Sequence, residues 1–160
     1  MAPRYVRVPH TFAYDHAGNL LTTSHTGTVN WTRTQSYAAA SNRLATSVDG
    51  NGTFNATHDA FGNMLAMPGL NEMQWDVFGN LQATVPYSAG SQRTFYTYDA
   101  SGNRVRKVTE TNVASTWIRS ADTLYLGGFE LVRTWTGSDG TDLDDEIETL
   151  HVMDADARLA

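Results

Sequence analysis

Cysteine is absent from the 160-residue chain, so no disulfide framework and no thiolate metal site or nucleophile is available. This leaves the compartment open, because exported proteins can also lack cysteine. No apolar run approaches the length needed to span a bilayer, and Met1-Ala2-Pro3-Arg4-Tyr5-Val6-Arg7 is not followed by the apolar core of a secretory signal. If the parent protein is exported, its address is expected outside this chain. A basic stripe is missing too. Residues 1–138 hold ten basic and nine acidic side chains, a balance of +1, whereas residues 139–160 hold one basic and eight acidic, a balance of −7. The net charge of −6 is therefore local to the C-terminal end, and nucleic-acid binding is disfavoured. Nucleophile elbows of the Gly-x-Ser-x-Gly kind, P-loops and Gly-x-Gly-x-x-Gly fingerprints are absent as well.

What the chain has is a repeat. Tyr14-Asp15-His16-Ala17-Gly18-Asn19, His58-Asp59-Ala60-Phe61-Gly62-Asn63, Trp75-Asp76-Val77-Phe78-Gly79-Asn80 and Tyr98-Asp99-Ala100-Ser101-Gly102-Asn103 share one pattern. A degraded copy, Tyr37-Ala38-Ala39-Ala40-Ser41-Asn42, keeps the aromatic residue and the Asn but has neither Asp nor Gly. The copies start at 14, 37, 58, 75 and 98, in steps of 23, 21, 17 and 23 residues. Such spacing suits two-stranded units joined by loops of varying length. Physically, the aromatic ends a strand and Asp opens a turn whose backbone N–H groups its carboxylate can accept. Gly then supplies the positive φ of a type I turn with a G1 bulge. Each copy is a predicted β-hairpin.

The pattern Tyr-Asp-x-x-Gly-Asn, with Ser41-Asn42-Arg43-Leu44 between copies and Tyr125-Leu126-Gly127-Gly128-Phe129-Glu130 after the last, resembles the YD-repeat (RHS-repeat) proteins. These include bacterial polymorphic toxins, the cocoon-forming components of insecticidal toxin complexes, and teneurins. The resemblance runs from about Phe12 to Met153. It implies an all-β fold of consecutive antiparallel hairpins forming a curved sheet, part of a hollow shell that encloses another part of the polypeptide. It also implies a parent that is exported or associated with the cell surface. Bacterial members often end their shell with a core motif containing Asp-Pro, near which self-cleavage occurs. This sequence has no Asp-Pro, so self-cleavage and toxin activity are not carried over.

A hydrophobic fraction of 41% argues for a folded chain, and 160 residues suffice for a single domain, here read as one YD-repeat β domain over 1–160 with an acidic segment at 139–160. Strands are expected over Tyr5–Tyr14 with an interruption at Pro9, then Leu20–His25, Val29–Tyr37, Arg43–Val48, Thr53–His58, Leu81–Val85, Arg93–Tyr98 and Arg104–Val108. Thr116–Arg119, Thr123–Leu126 and Phe129–Thr136 follow. Asp49-Gly50-Asn51-Gly52 is a hairpin turn, Ala38–Ala40 a turn rather than a helix, Pro86 and Gly90 a break, and Gly137–Gly140 another turn. Glu146–Met153 reads as a strand, with a helix as the alternative. Open sheet edges carry unpaired backbone groups, so self-association is expected.

Site candidates are few. His58-Asp59 is a His-Asp pair, but both occupy repeat positions and their first reading is structural. Ser138, Asp139 and His151 could meet as a hydrolytic set on the β scaffold or at an oligomer interface, as many such trios can by chance. The acidic run Asp139, Asp142, Asp144, Asp145, Glu146 and Glu148 offers oxygen ligands for calcium without an EF-hand spacing, and is expected to be a solvated loop. Asp142, Asp144 and Asp145 are its calcium candidates. His16 sits in a turn corner, and His10, His25 and His151 lack a recurrent metal-ligand spacing, so no zinc site and no cofactor is expected. Three glycosylation patterns begin at Asn30, Asn51 and Asn55. The aromatics Tyr14, Tyr37, Trp75 and Tyr98 are expected to stack between hairpins. Asp15, Asp59, Asp76 and Asp99, with Gly18, Gly62, Gly79 and Gly102, are expected to hold the turns.

The reading that unites these features is a structural piece of a YD-type shell, whose partners are other parts of a larger RHS-type polypeptide. A small hydrolase is the alternative from a different class. A carbohydrate- or protein-binding β module built on Trp117 and Trp135 is the third.

Overall fold

A computed structural model describes residues 9–86, 91–154 and 157–158. The fold is all-β, with no helix among the described residues. In chain order the strands are β1 (His10–Tyr14), β2 (Leu20–His25), β3 (Trp31–Tyr37), β4 (Leu44–Asp49) and β5 (Gly52–Asn55). Then follow β6 (Leu70–Trp75), β7 (Leu81–Pro86), β8 (Gln92–Tyr98), β9 (Arg104–Val113), β10 (Thr116–Leu126), β11 (Phe129–Thr136), β12 (Asp142–Leu150), β13 (Met153–Asp154) and β14 (Ala157–Arg158). The chain forms two compact units, Met1–Met67 and Pro68–Ala160.

In the first unit β1 to β5 form one antiparallel sheet in sequence order, and in the second β6 to β12 form another. β13 and β14 make a two-stranded ribbon. Within each main sheet, strands consecutive in sequence pair with one another, as short turns dictate.

The repeat copies build these turns with one geometry. In the copies at 14, 58, 75 and 98 the Gly N–H donates to the Asp carbonyl at 3.1 Å, closing a type I turn. The Asp N–H donates to the Asn carbonyl at 2.9–3.0 Å, and each Gly has φ between +80° and +98°. This is the G1-bulge hairpin that the residues predict. The degraded copy has no Gly and closes one residue later: Ala38 N–H donates to the Arg43 carbonyl. Tyr37 therefore pairs with Leu44, seven residues on, where Tyr14, Trp75 and Tyr98 pair with Leu20, Leu81 and Arg104, six residues on.

A second irregularity recurs just past the turn. Leu21, Ala45, Gln82 and Val105 are each skipped in the pairing register, leaving a bulge at the same place in four units. Bulges increase local twist and bend a strand. The degraded copy retains this device although it has lost the Asp and the Gly.

Several boundaries differ from expectation. The copy at 58 makes its turn but not a strand pair, leaving only a single bridge between His58 and Met64. The returning segment is cut short by Pro68, which has no N–H to donate, and by the turn at Gly69. Thr116–Arg119 and Thr123–Leu126 merge into β10 across a bulge at Ser120, and Arg104–Val108 continues to Val113. These two long strands are joined by Ala114 and Ser115, both at positive φ (49° and 70°). A two-residue hairpin demands that conformation, and no Asn-Gly announces it here. The strand expected at Glu146–Met153 starts earlier, as β12 from Asp142 to Leu150, so that Asp142, Asp144 and Asp145 lie in a strand paired with β11 along one edge of its sheet rather than in a loop, while Asp139 stays in the turn before it. The Tyr5–Val8 part of the first expected strand and Gly90 lie outside the described residues.

Apolar burial is shallow. Among the described residues Met73, Ala83 and Ile118 are the buried apolar side chains, and no large side chain is fully buried. The loop after β11 tightens against β10 through Gly140, where a Cβ would lie 3.0 Å from the Arg119 carbonyl and 3.2 Å from the Ile118 Cβ. Gly79 is the opposite case, with φ of +81° and open space around it, so a side chain there costs conformational energy alone. Gly79→Ala is expected to destabilise the second unit by about 1–2 kcal/mol, read as a lowered midpoint in urea unfolding; an unchanged midpoint would show that this turn does not need its left-handed residue.

Candidate functional site: the repeat clasp and the grooves beside it

Within each Asp-x-x-Gly-Asn turn the Asp carboxylate binds both arms of the hairpin. In the first copy Asp15 Oδ1 accepts the Ala17 N–H at 2.9 Å and the Asn19 N–H at 2.8 Å, while Oδ2 accepts the Asn19 side-chain amide at 2.8 Å. Asp59 does the same with Phe61 and Asn63, Asp76 with Phe78 and Asn80, and Asp99 with Ser101 and Asn103, all between 2.8 and 3.2 Å. The Asn is as much a part of the clasp as the Asp. Its recurrence was visible in the sequence, but its two-pronged role is seen only once the turn is folded.

The donors favour the ionised carboxylate, so all four acids are held below the ordinary aspartate value. For Asp15 the Asn19 side-chain amide leads, followed by the Asn19 N–H. For Asp76 and Asp99 the backbone N–H of Asn80 and Asn103 leads, followed by their side-chain amides. At Asp59 desolvation is the largest single influence and raises the value, but the combined donors of Asn63, Gly62 and Phe61 outweigh it.

Neighbouring units are tied by tyrosine. The Tyr37 hydroxyl donates to the Leu20 carbonyl at 3.1 Å, and the Tyr98 hydroxyl donates to the Leu81 carbonyl at 3.0 Å. In both cases the acceptor is the residue immediately after the preceding clasp. The link between units at Tyr37 and Tyr98 is thus a hydrogen bond from the hydroxyl, where ring stacking was expected. Asn19 adds a lateral bond from its amide to Asn42 Oδ1 at 3.2 Å.

These links leave equivalent grooves beside adjacent turns. One of about 380 Å³ is lined by Asp15, Asn19, Leu21, Gln35 and Tyr37. Its counterpart of about 800 Å³ is lined by Asp76, Asn80, Gln82, Tyr96 and Tyr98, each 61 positions further on. The turn corners themselves are apolar and open in two copies, with Phe61 88% and Phe78 87% exposed.

The catalytic candidates do not assemble. Ser138 and Asp139 line a groove of about 730 Å³ with Arg106, Glu110, Trp117 and Arg119. His151 is not among its lining residues; its Nε2 lies 3.2 Å from Glu130 Oε2. Asp139 accepts the Thr141 N–H at 3.1 Å and hydroxyl at 2.9 Å, an Asx turn that holds its carboxyl low. Asp59 is committed to its clasp, and His58 stands at the aromatic position of the repeat, bridging to Met64. No group of three or more His, Asp or Glu side chains is gathered for a metal among the described residues, Asp142, Asp144 and Asp145 included.

Arg106, Trp117 and Arg119 of this groove belong to an ionic and aromatic lattice on the sheet. Arg106 binds Asp122 through Nε to Oδ1 at 2.9 Å and a terminal nitrogen to Oδ2 at 2.5 Å, and Arg119 approaches the same carboxylate at 3.7 Å. Asp122 is buried, so losing these partners would leave its carboxylate uncompensated away from water. Arg93 lies 4.3 Å over Trp117 and Arg119 lies 4.0 Å over Trp135. One face of each of these two tryptophans is therefore covered by a guanidinium group.

No family model matches the sequence, and no curated protein matches it. Among solved structures, the crystal structure of TcdB2-TccC3-Cdc42 is similar, with a TM-score of 0.68 and 23% identity over 91% of this chain. The matched region is 7% of that chain's length, and the likeness is one of fold. Among the described residues no helix is long and apolar enough to cross a membrane.

Two outcomes test the clasp. Its carboxyls titrate below their unfolded value of about 3.9, so their contribution is complete above that value and is lost as pH falls through the depressed folded values. The unfolding midpoint should be flat between about pH 5 and 7 and fall below about pH 4, and Asp76→Asn should flatten that fall by one site. Tyr98→Phe should cost about 0.5–1.5 kcal/mol for the lost hydrogen bond, whereas Tyr14→Phe, on a ring 60% exposed, should leave the urea midpoint in place.

Proposed function

We propose that this chain is a non-enzymatic piece of the wall of a YD-repeat shell, which encloses or presents another domain of a larger polypeptide. The observation that carries the reading is the repeated clasp: one Asp-x-x-Gly-Asn turn made four times, with tyrosine hydroxyls bonding back to the preceding unit at Leu20 and Leu81. A device that regular serves to propagate a sheet. The sequence resemblance names the YD-repeat family, and the likeness to TcdB2-TccC3-Cdc42 agrees with it at the level of fold. In this reading the matched 7% is one stretch of a wall that needs many more units.

The shallow burial and open edges fit the same reading. The edge strand β12 exposes Leu143, Ile147 and Leu150 by half or more, surfaces that neighbouring wall would cover. Isolated from that wall, the chain should associate through its sheet edges. Of the hydrolase candidates, Ser138 and Asp139 line one groove, and His151 is not among its lining residues.

The test is light scattering on the purified chain, with a panel of hydrolase substrates run across the same peak. A monodisperse oligomer without turnover is the expected result. Turnover that follows the peak and is abolished by Asp139→Asn, with folding retained, would overturn it.

A further inference from the structure

The first sheet carries a row of rings that the turn machinery does not use. His10 and His25 stand directly opposite each other in the β1–β2 ladder, and His25 stands opposite Trp31 in the β2–β3 ladder. His25 Nδ1 and His10 Nε2 are 3.0 Å apart. The Trp31 ring stacks on His25 at 5.6 Å between centroids and 6° between planes, and Phe12 stacks beside His10 at 6.3 Å and 13°. His10 is exposed and His25 half-buried, so an ion can reach the pair from the His10 side.

We propose that His10 and His25 form a two-imidazole site for a tetragonal transition-metal ion, Cu(II) above all and Ni(II) more weakly. The argument is geometric. Two ligands at metal–nitrogen distances of about 2.0–2.1 Å lie about 2.9 Å apart when they subtend the right angle of a square-planar centre. A tetrahedral centre requires about 3.3 Å. The observed 3.0 Å is a hydrogen-bond distance between the rings that already brings both nitrogens within reach of one ion, and among divalent ions an imidazole pair holds Cu(II) most tightly. In the metal-free protein one imidazole donates its N–H to the lone pair of the other; when the ion binds, the donating ring changes tautomer, carrying its proton on its other ring nitrogen, so that each neutral ring offers one lone pair to the ion. Strand pairing fixes the two backbones, and Trp31 and Phe12 limit ring rotation, so little reorganisation is required. No carboxylate belongs to the site among the described residues. Water completes the coordination, which makes the site open and exchangeable.

The test is titration of the tag-free full chain with Cu(II), Ni(II) and Zn(II) at pH 7.5, read by calorimetry, by Trp fluorescence and by electron paramagnetic resonance of the Cu(II) form. One Cu(II) per chain, a spectrum with two equatorial imidazole nitrogens, and the order Cu(II) over Ni(II) with Zn(II) no tighter than Ni(II) are expected. His10→Ala and His25→Ala should each weaken Cu(II) binding at least tenfold, while His16→Ala, a change in a turn corner, should leave it unaltered. Circular dichroism matching the parent chain establishes that the variants fold. Absence of Cu(II) binding, or binding that survives both substitutions, would overturn the assignment.

Discussion

The structure depends on one interaction, the grip of an aspartate carboxylate on the two arms of a hairpin turn. Tight turns strand backbone N–H groups that the strand ladder cannot pair. Here Oδ1 takes two of them and Oδ2 takes the amide of the Asn that starts the next strand. The glycine before that Asn makes the geometry reachable, because its positive φ lets the chain reverse in three residues. The degraded copy shows what happens without these parts. With Ala38 in place of Asp and Ser41 in place of Gly, the loop takes one more residue before the strands meet.

Because three of the four clasps close their own hairpins, the sheets grow by repetition of local pieces, and the tertiary core is left with little to do. Buried apolar side chains are few, and cross-strand pairs hold the faces instead. Arg33 binds Asp49, Arg93 binds Glu110, Arg106 binds Asp122 and Arg133 binds Glu146. Most of these are half-exposed and individually weak. Asp122 is the exception, since a buried carboxylate without Arg106 would be a charge stranded out of water. A sheet stabilised this way is suited to extension and leaves its edges open to further chain.

The candidate site was legible in proportion to how local it is. Asp15, Asp59, Asp76 and Asp99 and their glycines act within six consecutive residues, so the sequence pattern and the geometry coincide. His58 and Asp59 are adjacent in sequence and each occupies a position of the repeat, Asp59 in the clasp and His58 at the aromatic position before it. Ser138, Asp139 and His151 are close in sequence but meet different partners, Thr141 for Asp139 and Glu130 for His151. His10 and His25 are the converse case: fifteen residues apart with no recognisable spacing, they are brought together by the register of β1 and β2. Spacing rules for metal ligands describe helices and tight loops, and strand register across a turn has no fixed signature.

By itself, the amino-acid order determined the repeat, the turn type, the all-β class and most strand positions, because those follow from residues that interact within a few positions of one another. Tertiary structure alone decided which turns are followed by a full strand pair, that β10 runs unbroken across Ser120, and that the acidic tail lies along β11 as an edge strand. It also decided the hydroxyl bonds from Tyr37 and Tyr98 to the preceding units and the meeting of His10 with His25. Those outcomes depend on register and on long-range pairing. Shifting either by one residue turns every side chain of a strand to the other face, a choice that local propensity does not make.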